Sequence, residues 1–233
     1  MKASIAVVLL GVVSAASARA ETYWLHYEGN DFPENHGWTQ IRHVPYADRW
    51  IEDGVFVLDA SADPHTCEWY EYYTDDALWP MPDVAVPDPP SYFFLQWRMK
   101  VDDYSGSAWG GPVMGVFSHD GWGAAFFVTD DTIRYAYDPG LIAPIEPNEF
   151  HEFEMRSPDM RTFELYIDDA LAFEGTWYDS QLSNKVGWGD DTTGASSISR
   201  WDYVRMGIAP EPNSLFMMVL LLGGMSATGQ RNR

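Results

Sequence analysis

Eleven tryptophans and thirteen tyrosines in 233 residues make flat aromatic surface the most abundant chemistry this chain has to offer. Sugar rings present apolar C–H faces that pack on such surfaces, while their hydroxyls seek nearby carboxylates and amides. Indoles sit beside glycines in Trp109-Gly110-Gly111, Gly121-Trp122-Gly123 and Gly187-Trp188-Gly189, where the backbone crowds least. Trp69, Tyr70, Tyr72 and Tyr73 form another aromatic cluster. A groove of Trp69, Tyr72, Trp109 and Trp122 is the expected carbohydrate contact, against the plainer alternative that these rings fill a core.

Hydrolysis of a glycosidic bond asks for more, namely two carboxyls about 5–5.5 Å apart for retention and further apart for inversion. The nearest candidates are Glu68 with Glu71 and Glu152 with Glu154. On an extended strand the first pair points to opposite faces, whereas the second shares one face. Glu164 continues the pattern of Glu152 and Glu154, which predicts a solvated face there and no catalytic acid pair. The six histidines are scattered without metal-ligand spacing, and no nucleophile elbow or phosphate loop is present. Thirty-five acids against fourteen bases give a formal charge of -21, which repels phosphate backbones and so excludes nucleic acid as a partner. The single cysteine, Cys67, cannot form an internal disulfide.

The elements that must carry these residues are strands. From His151 to Gly175 the sequence draws a β-hairpin: His151, Phe153 and Met155 alternate with glutamates, and Phe163, Leu165 and Ile167 alternate with polar residues across the turn at Ser157-Pro158-Asp159. A second turn at Asp168-Asp169-Ala170 sends Leu171 and Phe173 back along the sheet. Further strands are predicted over 22–27, 54–60, 67–74, 91–101, 111–118, 123–129, 132–137, 185–189 and 201–208. Paired aspartates at 75–76, 102–103, 130–131, 168–169 and 190–191 read as turn residues. Five prolines between Asp75 and Pro90 make that stretch a surface loop. With roughly ten to twelve short strands and hardly any helical periodicity, the fold class is all-β, a two-sheet antiparallel sandwich.

Both ends differ from this middle. Met1-Lys2, the apolar run Ala3–Val13 and Ala18-Arg19-Ala20 have the order of a secretory signal peptide, residues 1–20, cleaved after Ala20. Residues 210–233 comprise Pro210-Glu211-Pro212, the apolar run Leu215–Met225 predicted as a short hydrophobic helix, and a basic end with Arg231 and Arg233. The run is shorter than the ~20 residues of a permanent span, and the arginines would hold its end cytoplasmic. This tail resembles the PEP-CTERM sorting signal of exported bacterial proteins. The resemblance implies transient insertion in the inner membrane, processing by an exosortase-type protease, and delivery to the cell surface or extracellular matrix.

The middle, residues 21–209, resembles the concanavalin A-like lectin/glucanase superfamily, near its laminin-G-like branch. The likeness rests on Phe150-His151-Glu152-Phe153-Glu154, Leu165-Tyr166-Ile167-Asp168-Asp169-Ala170-Leu171 and the closing Trp201-Asp202-Tyr203-Val204-Arg205, with Asp31-Phe32-Pro33 and Gly37-Trp38 at the start. It implies a jelly roll of two curved sheets, often with carbohydrate on the concave face and often with calcium. Acids from the first and last strands can meet in such folds, which makes Glu28, Asp31 and Asp202 the calcium candidates. The expected function is that of an exported, non-enzymatic protein whose sandwich binds carbohydrate or another extracellular polymer. A polysaccharide hydrolase or lyase, and a purely structural matrix or adhesion protein, stand as alternatives.

Overall fold

The computed structural model describes residues 22–43, 46–63, 66–73, 91–107, 109–118, 121–180, 185–190 and 194–210. Residues 1–21, which include the expected signal peptide, the proline-rich 75–90 stretch and residues 211–233, with Arg231 and Arg233, lie outside the described residues. Among the described residues no helix is long and apolar enough to cross a membrane.

The chain opens with β1 (Thr22–Glu28), a 3-10 turn (Pro33–His36), β2 (Thr39–His43), β3 (Asp48–Glu52), β4 (Val55–Asp59) and β5 (Cys67–Tyr73). The middle supplies β6 (Ser91–Gly106), β7 (Pro112–Phe117), β8 (Trp122–Val128), β9 (Thr132–Tyr135) and β10 (Ile142–Pro144). The last third adds β11 (His151–Ser157), β12 (Thr162–Ile167), β13 (Ala170–Thr176), β14 (Tyr178–Asp179), β15 (Lys185–Asp190) and β16 (Ala195–Pro210).

These strands make two antiparallel sheets. Sheet I runs β13-β12-β11-β6-β16-β4-β3, with β1 also against β16. Sheet II runs β10-β9-β8-β7-β15-β5-β2, with β14 against β8. The spine of sheet I is the pairing of β6 with β16, each sixteen residues long, from Ser91↔Pro210 to Gly106↔Ala195. The expected all-β sandwich is what the chain forms, with more strands than predicted because β2, β3, β10 and β14 are only two to five residues long. Segments that short carry too little alternation to separate them from loop.

The core lies where the inner faces meet. Sheet I contributes Tyr27, Phe56, Trp97, Phe153, Phe163 and Trp201, and sheet II contributes Tyr70, Met114, Phe126, Tyr135 and Trp188. Trp188 is the hub of one half, with ring centroids 5.2 Å from Tyr27, 5.8 Å from Phe56, 5.0 Å from Tyr70 and 4.8 Å from Trp201. In the other half Trp97 stacks on Phe153 at 5.2 Å, and Phe126 meets Phe163 edge-on at 5.5 Å. Glycine-flanked Trp188 is therefore core, the plainer of the two roles its sequence allowed.

The turns explain much of the register. Asp159 Oδ1 accepts the backbone N–H groups of Arg161 and Thr162 at 2.8 and 2.7 Å, which fixes the β11–β12 turn. Asp168 and Asp169 close the β12–β13 hairpin with φ of 48° and 66°, the left-handed pair a tight two-residue turn requires. Two of the aspartate pairs depart from the turn expectation. Asp102 and Asp103 continue β6, where Asp102 joins Lys100 and Arg200, and Asp190 ends β15 fully buried, accepting the Ser197 hydroxyl at 2.5 Å.

Candidate functional site

Strand parity divides sheet II into an inner face in the core and an outer face turned away from sheet I. On β5, Glu68, Tyr70 and Tyr72 point inward, so Trp69 and Glu71 point outward. The same count places Val113, Gly115 and Phe117 of β7 and Ala125 and Phe127 of β8 outside, along with Gly187 of β15 and Arg134 of β9. Cross-strand register then aligns one row across six strands: Ile41, Trp69, Gly189, Val113, Phe127 and Arg134. Five interstrand steps make that row about 24 Å long.

The floor of this face is small and its walls are aromatic. Where β7, β8 and β15 run side by side, Gly115, Ala125 and Gly187 carry little or no side chain. A Cβ at Gly187 would stand 3.6 Å from the Trp69 ring, and one at Gly123 would run into Phe117, so the rings lie directly on the sheet. Lys185 bridges them: its Nζ is 4.7 Å from the Trp69 centroid, 5.6 Å from that of Phe117 and 2.5 Å from Glu71 Oε1. Glu71 is only 2% exposed, so the centre of the face is closed by this ion pair and the open aromatic surface lies along the row of Trp69 and Phe127.

Further aromatic side chains stand exposed outside the row. The turn between β6 and β7 carries Trp109, 44% exposed, and is held by the Tyr104 hydroxyl, which donates to the carbonyls of Ser107 and Gly110. The Tyr104 ring lies against Gly111, where a Cβ would come within 2.6 Å and φ is 88°. Burial, then the charge of Asp190, push the Tyr104 hydroxyl up to about 12, while the nearby Arg134 charge acts in the opposite sense. Beside β8, Tyr178 and Tyr137 stack at 4.1 Å with an interplanar angle of 7°. Tyr178 lies opposite Gly123 and is 48% exposed.

The four residues expected to form one groove are thus dispersed. Trp69 belongs to the outer face, and Trp109 stands exposed in the turn between β6 and β7. Tyr72 points inward and meets Trp38 edge-on at 5.7 Å. Trp122 also packs inward against the core, with the Arg161 guanidinium 4.9 Å over its ring. Both exceptions follow from parity, since Trp69 and Tyr72 are three residues apart on one strand. Phe127 and Arg134 were legible by the same rule: Phe126-Phe127 must split between faces, and Arg134 alternates with Ile133 and Tyr135.

The acid pairs separate as strand geometry requires, and one expectation is corrected. Glu68 and Glu71 do face opposite ways; Glu68 is buried inside, accepting from Gln40 Nε2 at 2.5 Å and the Tyr70 hydroxyl at 2.8 Å. Glu152 and Glu154 do share the outer face of sheet I, but that face is not simply solvated. Glu154 is 6% exposed and bound at both oxygens by Arg156, at 2.7 and 2.8 Å, while Glu152 accepts from Gln96 and Tyr203. An arginine fork two residues along the same strand can shield a carboxylate that alternation alone marks as wet.

The calcium candidates are each occupied by neighbours. Glu28 is held by Arg205 at 2.7 Å and by His26; burial pushes its carboxyl up, but these two partners outweigh it and hold the group below its usual range. Asp31 caps the Phe32 N–H at 2.7 Å and binds Asn35, and Asp202 pairs with Arg98. Among the described residues no group of three or more His, Cys, Asp or Glu side chains could hold a metal ion.

No family model matches the chain, and no curated protein matches it. Solved structures do. A carbohydrate esterase from the Shiga toxin-encoding bacteriophage phi24B covers 80% of this chain and 98% of its own, at 14% identity and a TM-score of 0.55. The carbohydrate recognition domain of Emp46p covers 80% and 97%, at 11% identity and a TM-score of 0.47. A GlcNAcα1-4Gal-releasing endo-β-galactosidase from Clostridium perfringens covers 82% of this chain and 63% of its own, at 13% identity and a TM-score of 0.49. At these identities the likeness is one of fold alone, that of a two-sheet antiparallel β-sandwich.

Proposed function

We propose that this chain is an exported, non-enzymatic protein whose sandwich binds carbohydrate through the outer face of sheet II. The observation that carries the reading is the row in which Trp69 and Phe127 lie half-buried on a floor of glycine and valine. An indole held against the sheet, as Trp69 is over Gly187, is preorganised to stack on a sugar ring, because little side-chain freedom is left to lose. Binding is favoured over hydrolysis by the acids of this face. Among the described residues it carries a single carboxylate, Glu71, and that one is buried and paired with Lys185. The calcium candidates Glu28 and Asp202 lie on strands of sheet I, with Asp31 just after β1, so calcium bound there would sit apart from the proposed contact.

The tail supports the destination. Its Pro210-Glu211-Pro212 motif, apolar run and terminal arginines fit recognition by an exosortase-type protease, and residues 1–20 fit export through the inner membrane. The protein then serves at the cell surface or in the extracellular matrix, with polysaccharide as its partner. A glycan array probed with the purified full chain tests the binding. Trp69→Ala and Phe127→Ala are expected to abolish the signal, while Tyr166→Ala on the outer face of sheet I leaves it intact. No signal on any glycan, or equal loss from the sheet I variant, overturns the reading.

A further inference from the structure

Arg134 stands apart from the other arginines of the described structure. Arg49, Arg98, Arg156, Arg200 and Arg205 all bind carboxylates, as the large excess of acids makes easy. Among the described residues no hydrogen bond or ion pair holds the Arg134 side chain, and its buried Nε has no acceptor there. A half-buried guanidinium has given up part of its hydration, and leaving a charged donor unmatched costs more than leaving a neutral one. Of the acids near this end of sheet II, Asp131 Oδ1 accepts the Thr129 hydroxyl at 3.0 Å and Asp190 is taken up by Ser197, while Asp130, whose charge also acts on Tyr104, forms no ion pair with Arg134.

Its position is informative. Arg134 ends the outer row of sheet II, directly across from Phe127, and its charge reaches Tyr104, which anchors the turn bearing Trp109. A planar fork of donors therefore stands at the end of an aromatic strip. We propose that Arg134 receives the carboxylate of a uronate unit, so that the glycan bound along the row is an acidic one. This rests on the reading of that face as the carbohydrate contact. The chain's formal charge of -21 repels a polyanion at long range, so general electrostatic attraction cannot be the source of such a preference. A bidentate, charge-assisted contact at one arginine can supply it locally.

The test is calorimetric titration of the full chain with polygalacturonate and with the same polymer after reduction of its carboxylates to alcohols. At about 0.15 M salt, where repulsion beyond roughly 8 Å is screened, the acidic polymer is expected to bind at least about tenfold more tightly. Arg134→Gln should erase that difference, so that this variant binds both polymers alike. Arg134→Lys, which keeps the charge but not the fork, should retain part of it and covers the case in which the glutamine variant does not fold. Equal affinity of the unaltered protein for both polymers, or a preference that survives in a folded Arg134→Gln protein, overturns the inference and leaves the carbohydrate reading standing. Absence of binding to either polymer overturns the inference; an empty glycan array in addition removes the reading beneath it.

Discussion

Replacing Trp188 separates what its ring contributes from what its N–H contributes. The side chain is fully buried, and its centroid lies within 5.8 Å of those of Tyr27, Trp38, Phe56, Tyr70 and Trp201, aromatic residues from both sheets. Its indole nitrogen has no hydrogen-bond partner. Trp→Ala substitutions in cores cost about 3–5 kcal/mol, and aromatic pairs add roughly 0.5–1.5 kcal/mol each, so at least about 4 kcal/mol is expected here. Trp188→Phe keeps a ring among the same neighbours and removes a buried donor that has nothing to bond, which offsets part of the lost volume. Its expected cost is about 1.5 kcal/mol. For a domain of this size a kilocalorie moves Tm by roughly 2–4 °C, giving losses of about 8–16 °C for alanine and about 3–6 °C for phenylalanine. Thermal and urea unfolding of the two variants measure both. If phenylalanine costs as much as alanine, the indole N–H is bonded in solution and the packing ledger for this half of the core is wrong.

The β12–β13 hairpin gives an opposed pair of variants. Asp169→Gly relieves a positive φ and is expected to stabilise by up to about 1 kcal/mol, whereas Asp168→Gly also removes the carboxylate that binds His151 at 2.7 Å and the Glu152 N–H at 2.9 Å, and should cost about 1–2 kcal/mol. Urea midpoints of equal sign for the two would refute this. Acid stability tests the outer face of sheet I. Burial pushes the Asp102 carboxyl up, but Lys100 and Arg200 outweigh it and hold the group below the usual range. The unfolded chain therefore takes up this proton first, so the contribution is present above about pH 4 and is lost as pH falls through the lower folded value. Asp102→Asn should flatten the acid limb of a stability-against-pH curve, and an unchanged limb would show that the pairing contributes nothing.

How far the sequence reaches depends on how local the deciding physics is. The hairpin from His151 to Gly175 was readable because alternation and turn chemistry agree within twenty-five residues. The order of strands was not, because the central pairing of β6 with β16 joins Ser91 to Pro210, and nothing near either end announces it. The same limit governs the site. Trp69 was found as an aromatic residue, but Tyr72 and Trp122 were grouped with it by composition, where counting residues along each strand would have turned them inward. The fate of Glu154 needed one more neighbour than alternation considers, its own Arg156. Arg134 carries no sequence signal of being unpaired, since that depends on which of many acids the fold brings near.

The central claim is that glycan meets the outer face of sheet II, and the most direct test is to watch the tryptophans individually. With indole nitrogen-15 labels assigned in the full chain, an oligosaccharide taken from the strongest array signal should shift the resonances of Trp69 and Trp109. Those of Trp97, Trp188 and Trp201, buried in the core, should stay in place. Binding that leaves Trp69 and Trp109 unmoved, or that shifts only groups on sheet I, contradicts the account.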